Sequence, residues 1–255
     1  RPMPAHITHT YGHPGNDFDA VVGKFYESAC RDPFSTWLIV PTKRLARRAE
    51  KELNRKNIPL LPSRICTVND FCRSYFNTHL STTGYVTRAE AGMILLDVLE
   101  ENRGRVPLFM SGSRVSLGTL DGLQEFISVI TRRKINFPAC LGDLFGEKTD
   151  QIAFITRAYR KKMQAIDVVD DEGILLWVID HLIHHPENTF GDVYIYGLFE
   201  LLPLEEDLLS IIRERSVIFH CFLPTGSDQA LFQRNLQWAG NPASYVVTPA
   251  SDNDV

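Results

Sequence analysis

The chain has 255 residues, 27 Lys or Arg against 31 Asp or Glu, a net charge of −4 and 44% hydrophobic residues. That balance excludes a disordered tail, a collagen-like repeat or a coiled coil, and it argues against a surface that coats nucleic acid all over. A local basic stripe stays compatible with it. Apolar runs such as Trp37–Pro41 and Val193–Tyr196 are strand-length, far short of the roughly 20 residues of a membrane span. Arg1-Pro-Met-Pro is not followed by the apolar block of a signal peptide. The five cysteines, Cys30, Cys66, Cys72, Cys140 and Cys221, are odd in number and free of CxxC pairs. They read as buried thiols of a cytoplasmic protein rather than a disulfide framework or a zinc site.

Strand and helix signals alternate at first. Ala5–Thr10 is extended and ends in the Gly/Pro-rich turn Tyr11-Gly-His-Pro-Gly-Asn16, and a helix runs from Phe18 to about Ala29. Trp37-Leu-Ile-Val40 has the continuous apolar, β-branched character of a buried parallel strand. Pro41-Thr42 closes it before a helix over Lys43–Lys56; Arg64–Val68 is a third strand, and Asn69–Asn77 a helix with Asn69 as its N-cap. Strands separated by helices of this length predict a parallel sheet with right-handed crossovers.

The middle of the chain reads as helical. Thr87–Asn102 opens with a capping box, Thr87 and Glu90, and Ser116–Arg133, Asp150–Ile166 and Asp171–His184 follow without a β-pattern. The sheet signal returns at Asp192–Gly197, followed by a helix over Pro203–Arg213 and a strand over Ser216–Pro224. The predicted fold class is therefore α/β: a parallel sheet flanked by helices (residues 1–85 and 191–255), interrupted by an all-helical insertion (86–190).

The order of these segments resembles the N-terminal, helicase-like region of AddB/RexB-type helicase–nuclease subunits, relatives of UvrD-like superfamily 1 helicases. The residues that carry the likeness are the Gly12–Gly15 turn after strand one, Leu38-Ile-Val-Pro-Thr42 before a basic helix, and Cys66-Thr-Val-Asn-Asp-Phe71. The last is Tyr196-Gly-Leu-Phe-Glu-Leu-Leu-Pro-Leu-Glu205, which keeps Gly197, an acid at Glu200, Pro203 and Glu205 of the family's Walker B pattern. The likeness implies a P-loop-NTPase-like (RecA-like) sheet, a role in DNA double-strand-break processing, a partner helicase subunit, and a chain that is the N-terminal piece of a longer protein.

The departures decide what chemistry to expect. A phosphate loop needs G-x-x-x-x-G-K-[ST], because backbone N–H groups cradle the phosphates, the Lys neutralises them and the hydroxyl holds Mg²⁺. Counted from Gly12, the second Gly, the Lys and the hydroxyl are Asp17, Phe18 and Asp19. The Mg²⁺-ligand slot of Walker B is Tyr196 and the catalytic Glu slot of the UvrD-like helicases is Gly197. Two carboxylates and a benzyl group would repel a triphosphate. The expectation is a nucleotide-binding fold without ATPase activity and without a cofactor.

Lys43–Lys56 carries a local net charge of +5, leaving −9 for the rest of the chain. On a helix Arg44, Arg48, Lys51 and Arg55 form one face, opposite a stripe of Leu45, Ala49 and Leu53. Under the resemblance this segment lies against single-stranded DNA, with Thr42, Lys43 and Thr67 beside it; the alternative is a solvated face. Asp70 disfavours a phosphate next to Thr67, and Phe71 is expected in the core. Arg132-Arg133-Lys134 and Arg157…Arg160-Lys161-Lys162 sit in helix C-terminal halves, where cations complement the helix dipole.

Other constellations lack completing partners. His6, His9 and His13, and His181, His184 and His185, read as surface or capping histidines rather than metal ligands. Asp170-Asp171-Glu172 reads as first-turn acids. The family's nuclease tripeptide, (Asp/Glu)-x-Lys, occurs nowhere. The leading expectation is thus an ATPase-inactive helicase-like domain that binds DNA and a partner subunit, with no membrane contact. The alternatives are a scaffold without DNA contact and an α/β enzyme with an unrecognised active site.

Overall fold

The structure is a computed structural model that describes residues 5–11, 16–55, 64–79, 82–110, 112, 114–140, 146–197, 201–224, 238 and 246–248. In chain order, β1 (Ala5–Tyr11) leads to α1 (Asn16–Arg31), β2 (Trp37–Ile39) to α2 (Lys43–Arg55), and β3 (Ile65–Cys66) to α3 (Val68–Thr78). Next come β4 (Gly84–Tyr85), α4 (Arg88–Glu101), α5 (Leu117–Arg132), α6 (Gly146–Ala165), β5 (Val168–Val169) and α7 (Asp171–His184). The last elements are β6 (Phe190–Tyr196), α8 (Pro203–Arg215), β7 (Ser216–Pro224) and β8 (Val246–Thr248).

Six strands pair in parallel in the order β3-β2-β6-β7-β1-β8. Both faces of this sheet are covered, which is why its strands read as unbroken apolar runs. Leu38, Val40, Tyr194, Tyr196 and Phe222 pack with Phe18, Val21, Val22 and Phe25 of α1 and with Ala46, Ala49 and Leu53 of α2. Alternate residues point the other way. There the Trp37 ring meets Phe71 of α3 at 4.8 Å, and Phe219 lies 6.1 Å from the Trp238 ring, whose indole N–H donates to Ser210 of α8. The parallel α/β architecture predicted from the alternating signals is present. No described helix is long and apolar enough to cross a membrane.

The chain divides into two compact units, residues 1–75, 178–201 and 205–255 in one, and 76–177 with 202–204 in the other. The divisions fall inside α3 and α7, where 85/86 and 190/191 were expected. The second unit has its own core, built from Leu95 and Leu99 of α4, Leu123 and Ile127 of α5, and Ile155 and Tyr159 of α6. It is not purely helical. β4 and β5 pair in parallel and join its first and last segments, Gly84 N–H donating to the Asp167 carbonyl and Val86 N–H to that of Val169. Two described cavities, of about 330 and 460 Å³, both lie in this unit.

Several local readings need correction. Helix α3 begins at Val68, and its N-terminal cap is Thr67 rather than Asn69: the Thr67 hydroxyl accepts from Asp70 N–H and donates to the Asp70 carboxylate. The buried stripe of α2 is Ala46, Ala49 and Leu53, with Leu45 only half-buried. Cys30 and Cys140 are exposed; only Cys66, Cys72 and Cys221 are buried. The Thr87–Glu90 capping box is formed as predicted.

One buried group in the sheet ties stability to pH. His220 of β7 stacks on Tyr194 at 4.4 Å, and burial pushes its imidazole down to about 4, with Asp192 opposing and Lys24 reinforcing the shift. Above about pH 6.5 the ring is neutral in both folded and unfolded chains and costs nothing. As pH falls from about 6.5 to about 4, only the unfolded chain takes up the proton, so folding loses roughly 3 kcal/mol across that window. Denaturant melts between pH 4.5 and 7 should show this slope, and His220→Phe should flatten it.

Candidate functional site

Because all six strands of the large sheet are parallel, their C-terminal ends lie along one edge, the place where open α/β sheets hold ligands. The chain leaves that edge at Tyr11, at Pro41-Thr42, at Thr67 and at Gly197. The topology thus brings the four expected motif segments to a common edge, although they are scattered over the sequence. Gly12, Gly15 and Glu200 lie outside the described residues; Asp17 falls in α1, and nothing is described of its side chain.

The two positions that the resemblance assigns to the Lys and Mg²⁺-ligand slots of a nucleotide site, read as degenerate, are packed aromatics. Phe18, in the first turn of α1, is 1% exposed, and Tyr196, at the end of β6, is 4% exposed. Their rings are 4.9 Å apart, tilted by 57°. Neither offers a positive charge to a phosphate or a carboxylate to Mg²⁺, and both belong to the core under α1. Gly197 adopts φ +65, and its N–H donates to the Phe222 carbonyl, so the turn after β6 uses a conformation that favours glycine over a catalytic Glu. Asp19 is paired with Arg48, which reaches back from α2 at 3.1 Å and lies 5.4 Å over the Phe18 ring. These residues do not fit a triphosphate with its metal.

Helix α2 carries the cations. Thr42 caps it, its hydroxyl accepting from Leu45 N–H at 3.3 Å. The next residues, Lys43 and Arg44, are cations in a first turn that holds no acid. Cations there oppose the helix dipole, so they are not present for the benefit of the helix. Lys43 is matched by Asp70 at 3.2 Å. Burial favours the neutral Asp70 carboxyl, but the Thr67 hydroxyl and Lys43 outweigh it and hold the group below the usual carboxylate range. Asp70 therefore neutralises Lys43 at this edge, and Thr67 is occupied with capping. Phe71 is core, as expected, at 1% exposure.

The expected stripe separates into matched and unmatched charges. Arg48 is matched by Asp19 and Arg55 by Glu52 at 2.8 Å, while Arg44 and Lys51 are exposed and have no carboxylate partner among the described residues. Arg47, which the sequence reading left out, is exposed and equally unmatched. Its signal was its spacing, three residues after Arg44 and four before Lys51, which places all three on one helix face. Arg44, Arg47 and Lys51 are thus the exposed cations of α2 that no described carboxylate matches.

The other constellations have structural partners. Asp170 caps α7 through Gly173 N–H and accepts from the Tyr159 hydroxyl, Asp171 accepts from Tyr85, and Glu172 pairs with Arg132 at 2.8 Å and accepts from Ser128. Arg132 is thus a largely buried ion-pair partner rather than a surface cation. His181 stacks on His185 at 4.2 Å, His184 Nδ1 contacts the Asp180 carbonyl, and His185 bonds Glu187. Among the described residues no group of three or more His, Cys, Asp or Glu is placed to hold a metal. The side chains of His6 and His9 and all of His13 lie outside the described residues. The sequence matches no model of a known protein family and no curated protein.

Proposed function

We propose that this chain is a helicase-like, RecA-like domain of an AddB/RexB-type helicase–nuclease subunit that has lost nucleotide chemistry and binds single-stranded DNA through α2. The observation that carries the reading is the contact of Phe18 with Tyr196, which makes core of one phosphate-loop and one Walker B position, together with three exposed cations of α2 that no described carboxylate matches. The strand order, with β7 between β1 and β6, is compatible with a RecA-like sheet. Binding of phosphates by Arg44, Arg47 and Lys51 releases counterions and makes the affinity depend on salt. A partner subunit of the same assembly is part of this proposal.

Titration with a fluorescent ATP analogue and Mg²⁺ should give no saturable signal, while labelled oligo-dT should bind. Saturable micromolar binding of the analogue would overturn the nucleotide half of the reading. Loss of any measurable oligo-dT binding at low salt would leave only the scaffold.

A further inference from the structure

The helical unit carries a second place where phosphates would be held. Four described cations of this unit are ion-paired: Lys162 with Glu101 at 2.7 Å and Asp97 at 3.5 Å, Arg103 with Glu100, Arg88 with Glu125 and Arg132 with Glu172. Arg105 and Arg157 are the two arginines that line the 460 Å³ cleft. Both are exposed, and neither has a carboxylate partner within ion-pair distance among the described residues. Phe154 forms part of the cleft wall between them, and the Arg105 guanidinium lies 4.0 Å from the centre of its ring.

That contact is a preorganising one. A guanidinium held against an aromatic face keeps its N–H edge free and loses less side-chain freedom when it meets an anion. Arg157 follows Phe154 by three residues on α6, and Lys161, also exposed, follows by one further turn on the same side. Glu147 and Asp150 line the same cleft nearer the start of α6; Glu147 accepts from the Gln151 amide at 2.9 Å. The helix rise separates Asp150 from Arg157 by about 10 Å along the axis.

We infer that Arg105 and Arg157 bind the phosphodiester backbone of single-stranded nucleic acid on the helical unit, as a contact additional to that of α2. Two cations lining an open cleft suit a repeating polyanion. The inference rests on the proposed DNA-binding reading.

The test uses the whole chain and labelled oligo-dT, with anisotropy followed across a salt series. Arg105→Ala/Arg157→Ala should weaken binding roughly 5- to 10-fold near 0.1 M salt and make the log–log salt slope shallower by about 1.4, two single-strand phosphate contacts at about 0.7 each. Glu147→Gln/Asp150→Asn, which keeps both arginines, should tighten binding about 2-fold or more. If the wild type binds and neither variant moves the affinity, this inference fails and the α2 reading stands. If the wild type does not bind, both fail. A loss that appears only for inorganic phosphate or mononucleotides, with oligo-dT unchanged, would overturn the polymer assignment.

Discussion

Phe18→Ala is expected to lower folding stability by about 3–5 kcal/mol, measured as a shift in the urea midpoint at unchanged m-value. The ring is 1% exposed and contacts Tyr196, so truncation opens a cavity between α1 and β6 that only neighbouring core atoms could refill. It also removes the aromatic surface under Arg48. Phe18→Lys, which writes the phosphate-loop residue back into its slot, should destabilise at least as much and should not create ATP binding. A buried ammonium is costly, and Tyr196 still offers no carboxylate to a metal. A Phe18→Ala chain that melts within about 0.5 kcal/mol of the wild type would show that the ring is not core and that the site is open.

The second large effect concerns α2. Arg44→Ala/Arg47→Ala/Lys51→Ala should weaken oligo-dT binding by roughly 10- to 100-fold near 0.1 M salt and make the salt slope shallower by about 2. Lys43→Ala/Arg48→Ala/Arg55→Ala removes the same formal charge from the same helix and should change affinity far less. Each of those three cations already faces a carboxylate, so its removal leaves Asp70, Asp19 or Glu52 behind but takes no unmatched charge from the surface. The comparison separates a specific face from a simple effect of net charge. Equal losses in the two triples would mean that only the overall charge of α2 matters.

The sequence made the large sheet legible because its strands are buried on both faces and therefore apolar without interruption, as in Trp37–Val40 and Val193–Tyr196. The capping box at Thr87–Glu90 was legible because it is local. What was missed depended on contacts between distant segments. The strands β4, β5 and β8 have two or three residues each, too few to show a period, and exist only through their pairing. The matching of Arg48 with Asp19 and Lys43 with Asp70 joins different elements, so a helical wheel could not tell which cations of α2 stay unmatched. Arg132 looked like a dipole-complementing surface residue because its partner, Glu172, lies 40 residues away. The lack of a phosphate-loop pattern was readable residue by residue, but the contact between Phe18 and Tyr196 was not.

The net charge of −4 conceals this division, and the salt dependence of the proposed DNA binding would expose it. The most direct measurement is the affinity of the wild-type chain for labelled oligo-dT from about 0.05 to 0.3 M salt. Three contacts on α2 predict a straight log–log plot with a slope of about −2 or steeper. A flat plot, or no binding at the lowest salt, would contradict a DNA-binding domain.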